Sequence, residues 1–161
     1  MTKSSKGFSL IELLIVVAII LIIAAIAIPN LLRSRIAANQ ASAVGSLRTL
    51  NTAEITYSST YNVGFTYTMA YLAPPTTAGA NPTSTAAGLI DSVLSSGSKS
   101  GYSFTYSPGS SDSTGRINTY AINANPITSS TGTNYYFTDQ SGVIRQNSTT
   151  SAASTDSPIA G

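Results

Sequence analysis

The chain has no cysteine and no histidine, and only 9% of its 161 residues are charged. Without cysteine there is no disulfide, no thiolate nucleophile and no sulfur ligand for a metal. Without histidine the commonest general base and the commonest nitrogen ligand are missing as well. The carboxylates beyond the N-terminal region, Glu54, Asp91, Asp112, Asp139 and Asp156, are spread along the chain with no pairing motif. Gly97-Ser98-Lys99-Ser100-Gly101 has the glycines of a nucleophile elbow, but lysine stands where the serine would be. No glycine-rich phosphate loop follows a strand signal. These absences point away from catalysis and call for no cofactor. A typical soluble domain is nearer ~25% charged. Here serine and threonine fill the polar positions, which suits a surface packed against copies of itself.

What the chain does have is one long apolar run. Of the 21 residues from Phe8 to Ile28, only Ser9 and Glu12 are polar. As a helix, at ~1.5 Å per residue, the run is about 30 Å long and matches the hydrocarbon core of a bilayer. A carboxylate within such a span costs roughly 2.5–3.5 kcal/mol on insertion scales, so Glu12 calls for a partner. The preceding residues carry Lys3 and Lys6 and no acid, which predicts a cytoplasmic N-terminus and an external remainder. A cleaved secretory signal has the same basic-then-apolar order, and Ala25-Ile26-Ala27 offers it an A-x-A site. The run, however, exceeds the ~7–15 residues of a typical signal core, and a glutamate inside it would only hinder export. A retained anchor is the better reading.

The string Lys6-Gly7-Phe8-Ser9-Leu10-Ile11-Glu12-Leu13 resembles the prepilin cleavage and methylation motif of type IV pilins and pseudopilins. The resemblance covers about the first 35 residues. It implies cleavage after Gly7 by a prepilin peptidase, methylation of the new Phe8 amine, and a seven-residue leader of the type IVa kind. It also implies that Glu12, five residues into the mature chain, meets the terminal amine of a neighbouring subunit in a filament. Pro29 falls where these pilins commonly have a helix-bending proline. Many relatives have a C-terminal disulfide loop, and this chain, lacking cysteine, departs from them. An isolated subunit would then hold Glu12 unpaired, and assembly would neutralise it. Loss of one partner of a buried ion pair costs several kcal/mol, so Glu12 would also set the stagger between neighbours.

Eight basic residues less Lys3 and Lys6 leave six against six acidic ones, so the mature chain is formally neutral. The pI of 9.0 belongs largely to the leader and gives no support to a nucleic-acid partner. Lys99, Arg116 and Arg145 are spaced like ordinary solvated charges.

The sequence divides into a leader (1–7), a membrane and assembly half-helix (8–29), an amphipathic half-helix (30–61), a connection with a short helix (62–101), an antiparallel sheet (102–147) and a flexible tail (148–161). In the second half-helix Ile36, Val44, Leu47, Leu50, Tyr57 and Tyr61 share one side, while Ser34, Ser42, Gly45, Thr49 and Thr52 lie opposite. Arg33 and Arg35 sit just beyond the apolar run, within reach of lipid headgroups. Pro29 lacks an N–H, which predicts a kink or local melting. The connection is rich in Pro, Thr, Gly and Ala, with Gly88–Leu94 as its helix.

Strand signals follow at 102–106, 116–123, 134–138 and 142–147, separated by turn residues. Tyr102, Phe104 and Tyr106 alternate with hydroxyl residues and so share a face. With Tyr135 and Phe137 they read as core and sheet-face residues rather than as a conducting aromatic stack. Asp139 reads as a turn residue, because a calcium site wants more than one carboxylate and no acid is near it. Asn147-Ser148-Thr149 is a sequon whose use the sequence does not decide.

The expected fold is α+β, a long bent helix on a four-stranded antiparallel sheet. The expected function is a structural subunit of an extracellular type IV pilus, held first as a single-pass inner-membrane precursor in contact with lipid. It would be processed by a prepilin peptidase and assembled by pilus machinery into a homo-oligomeric helical filament. The alternatives are a pseudopilin of a type II secretion system and a membrane-anchored binding module.

Overall fold

The computed structural model describes residues 7–159; the leader lysines Lys3 and Lys6 and the last two tail residues lie outside the described residues. Its elements are helix α1 (Leu10–Tyr61), a 3-10 turn (Met69–Leu72), helix α2 (Ser92–Ser95), and strands β1 (Ser98–Lys99), β2 (Tyr102–Pro108), β3 (Tyr120–Pro126), β4 (Tyr135–Asp139) and β5 (Arg145–Asn147). The architecture is α+β. The chain forms two compact units divided between Arg35 and Ile36. In the first, α1 runs through Pro29 without interruption, so the melted stretch predicted there is absent. The missing Pro29 N–H leaves the Ala25 carbonyl without its helical donor.

The second unit is the head. Its sheet is an antiparallel meander in the order β1-β2-β3-β4-β5. The expected sheet has four strands, and the fifth is β1, a two-residue strand that pairs Ser98 with Ser103 and Lys99 with Tyr102. The turn between them, Ser100-Gly101, has φ of 50° and 75°, the left-handed pair that a tight two-residue hairpin requires.

The amphipathic half of α1 covers one face of this sheet. Leu47, Leu50 and Tyr57 are fully buried, joined by Ala43 and Ala53, and they pack with Leu72, Leu94, Tyr102, Phe104, Ile122 and Tyr136. Ile36, Val44 and Tyr61 are half-buried on that side, while Ser34, Gly45, Thr49 and Thr52 are exposed opposite. The alternation in β2 puts Tyr102 and Phe104 inside, with Tyr106 beside them. In β4 the core residue is Tyr136, not Tyr135. Phe137 is buried on the other face of the sheet. Edge-to-face contact of Phe65 on Tyr120 at 4.8 Å and stacking of Tyr106 on Tyr120 at 6.0 Å fill the region below the helix.

Strand β3 starts later than the expected 116, for a local reason. Asp112 Oδ1 accepts from the Thr114 and Arg116 N–H groups and from Thr114 Oγ1, and Oδ2 accepts from Asn118 Nδ2. That turn takes up residues through Asn118. The same donors, Thr114 Oγ1 foremost, hold the Asp112 carboxyl well below the usual range. The short helix lies at Ser92–Ser95, C-terminal of the expected 88–94, because Asp91 takes the N-cap and accepts the Leu94 N–H at 2.8 Å.

The segment after Asn147, expected to be a flexible tail, is fastened to the sheet instead. Gln146 N–H donates to Ser157 O at 3.0 Å, and Ile159 N–H to Ile144 O at 3.0 Å. Ala152 is buried, and Asn123 Nδ2 donates to its carbonyl at 2.7 Å. Asn123 alternates with the inward Ile122 and Ala124, so these residues cover the sheet face opposite the helix. Asp156 makes the return possible by accepting from Asn147 Nδ2 and the Ala153 N–H.

Candidate functional site

In the first unit every large apolar side chain from Phe8 to Leu32 is exposed, and α1 is the one helix among the described residues long and apolar enough to cross a membrane. Leu10, Leu13, Leu14, Val17, Ala18 and Leu21 line an open apolar groove along it. A soluble helix keeps a face of this size covered.

Gly7, Phe8 and Ser9 precede the helix without regular secondary structure, and Phe8 is 79% exposed. Ser9 is the N-cap. Its Oγ accepts the Ile11 N–H at 3.4 Å, and its own N–H donates to Glu12 Oε2 at 2.9 Å. This reciprocal pattern is a capping box, in which side chains satisfy N–H groups that the first turn leaves without partners. The negative charge of Glu12 also suits the positive end of the helix dipole.

Two consequences follow for Glu12. One of its carboxylate oxygens already holds a backbone N–H, so what an isolated subunit leaves unmet is a countercharge. Its placement is also fixed: it grips the amide next to the Gly7–Phe8 bond. Gly7, Phe8 and Glu12 therefore come together at one helix end, and Pro29 stands farther along the same helix. Ser9 is a site residue that sequence reasoning missed, and its signal was present as S-x-x-E before an apolar run.

The other candidates are taken up structurally. Asp139 Oδ1 accepts the Ser141 N–H at 2.9 Å and Ser141 Oγ at 2.5 Å, within the turn joining β4 to β5. Lys99 pairs with Asp91 at 2.9 Å, Arg116 donates to Asn62 at 3.3 Å, and Arg145 donates to the Asp156 carbonyl at 2.9 Å. Asn147 Oδ1 accepts from the Thr149 N–H and hydroxyl. Among the described residues no three acidic, histidine or cysteine side chains cluster.

Residues 2–28 match the prokaryotic N-terminal methylation motif. The chain is 65% identical over 37 residues to the type IV wide pilus major component PilA4 of Thermus thermophilus, a stretch that is 23% of this chain and 28% of that protein. It is 52% identical over 50 residues to the type IV major pilin protein PilA of Myxococcus xanthus, 31% of this chain and 23% of that one. The chain thus spans about a quarter of the length of these relatives. No solved structure matches it. Over this N-terminal segment the chain is similar to type IV pilins.

Proposed function

We propose that this chain is the precursor of a structural subunit of an extracellular type IV pilus filament. One observation carries the reading: an uncovered apolar helix begins with a carboxylate held beside the Gly7–Phe8 bond. Cleavage there by a prepilin peptidase makes Phe8 the N-terminus, and methylation of its amine follows. Before assembly the apolar segment 8–29 lies in the inner membrane, with its N-terminus cytoplasmic and the head outside. In the filament the same apolar surface packs against copies of itself. Glu12 then accepts the ammonium of a neighbour's Phe8, exchanging a neutral N–H for a charged donor. The carboxylate–ammonium pair adds direct attraction between opposite charges, which grows in a low dielectric, so the exchange favours the assembled state. Pro29 is the position where we place the bend. The peptidase and the assembly machinery supply the chemistry and the force; the subunit's work is structural.

Glu12→Ala is expected to leave cleavage and membrane insertion intact while reducing sheared filaments by ten-fold or more. Abundant filaments of normal appearance from this variant would contradict the role given to Glu12. Shearing also distinguishes pilus from secretion pseudopilus, since a pseudopilin at normal expression stays with the cell.

A further inference from the structure

Glu54 is fully buried in the head and has no part in the assembly contacts proposed above. Its Oε2 accepts the Thr66 N–H at 2.9 Å, and Oε1 lies 2.5 Å from Thr66 Oγ1. Tyr106 Oη donates to the Thr66 carbonyl at 2.8 Å, so α1, the segment after it and β2 meet at Thr66. The titratable groups that face the carboxyl are Tyr57 from its own helix, Tyr106 from β2 and Tyr120 from β3. None of them is a cation, and the ion pair found among the described residues joins Lys99 to Asp91.

An ionised Glu54 would have two donors from one residue and no countercharge, a costly state for a buried carboxylate. A protonated Glu54 keeps the bond from the Thr66 N–H. Its short contact simply reverses, with Oε1–H donating to Thr66 Oγ1. Burial raises the carboxyl above its ordinary value of 4.5, outweighing the hydrogen-bonding influence of Thr66 and, more weakly, Tyr106, which lowers it. Burial also pushes Tyr106 and Tyr120 well above the usual phenol range, so these neighbours keep their protons.

We propose that Glu54 is a proton-held latch: protonated, it fastens Thr66, and with it the segment Asn62–Thr68, to the helix, and its ionisation loosens that segment. The stability it contributes is fully present below pH 4.5 and is lost as pH rises through the folded-state value. Over that interval the unfolding constant rises about tenfold per pH unit.

The test uses the full chain in detergent micelles, with denaturant unfolding of the head followed by tyrosine fluorescence from pH 4.5 upward. Glu54→Gln keeps both contacts, its carbonyl accepting the Thr66 N–H and its amide donating to Thr66 Oγ1, but has no proton to lose. The wild type is expected to show the tenfold-per-unit slope and the variant to lack it; parallel profiles overturn the latch. A second measurement does not depend on that variant folding. Glutamate occurs only at positions 12 and 54, so carboxyl-labelled glutamate gives two carbon resonances, and Glu12→Gln leaves the one from Glu54. That resonance is expected to titrate above the ordinary carboxylate range. A midpoint within or below that range overturns the proposal.

Discussion

At the scale of single residues, the head depends on polar groups placed inside an otherwise apolar stripe. Asn51 Nδ2 donates to Thr138 Oγ1 at 2.8 Å, and its Oδ1 accepts from Tyr120 Oη at 3.0 Å, all three residues being buried. Asn51→Ala strands Tyr120 Oη and takes from Thr138 Oγ1 one of its two bonds, leaving the one to the Val143 carbonyl. It is expected to lower head stability by about 1–3 kcal/mol, the cost of buried groups left without bonds, as read from the denaturant midpoint. Tyr120→Phe removes a single bond but leaves the buried Asn51 Oδ1 without its donor, and should cost about 1 kcal/mol or more. Neither Asn51 nor Glu54 was legible as a core residue. They occupy the same helical positions as Leu47, Leu50 and Tyr57, but spacing carries no information about where their partners will be. Thr66, Tyr120 and Thr138 reach them only through the tertiary fold. Ser9 and Glu12 differ in this respect: their partners are local, so the capping box was written in the sequence.

At the scale of elements, the order helix, connection, antiparallel meander follows from hydrophobic period and turn residues. The edges of those elements follow from side chains that bond to nearby backbone. Asp112 delays β3, Asp91 fixes the start of α2, and Ser100-Gly101 closes the hairpin that adds β1. Each acts through a specific bond or a left-handed φ, which an alternating pattern does not encode. The tail is the clearest case. Its Ser, Thr and Ala composition has no period, yet residues 151–159 return to Asn123, Ile144 and Gln146 through polar bonds. Deleting residues 148–161 should therefore destabilise the head, with each lost bond contributing about 0.5–1.5 kcal/mol. The truncation also uncovers Phe137 and the outer edge of β5, an open invitation to intermolecular pairing. Thermal unfolding and light scattering of the truncated and full chains measure the two effects separately. An unchanged melting temperature would return this segment to the status of a passive tail.

At the scale of the whole molecule, the two units bury apolar surface by opposite means. The head closes its own core, built on α1 residues from Ala43 onward. The N-terminal unit leaves its apolar residues, from Phe8 through Leu32, in the open. Such a surface is stable only in lipid or against other apolar helices, and the account assigns it both environments in turn. The exposed apolar helix itself was legible in the sequence, because a 21-residue apolar run needs no tertiary information. Mass spectrometry of filaments sheared from the cells that make this chain tests the claim most directly. The account predicts that the filament subunit is this chain, beginning at a Phe8 whose amine is methylated. A chain that begins at Ile28, after the A-x-A site, would contradict it, because neither Glu12 nor the apolar helix would then be present to assemble.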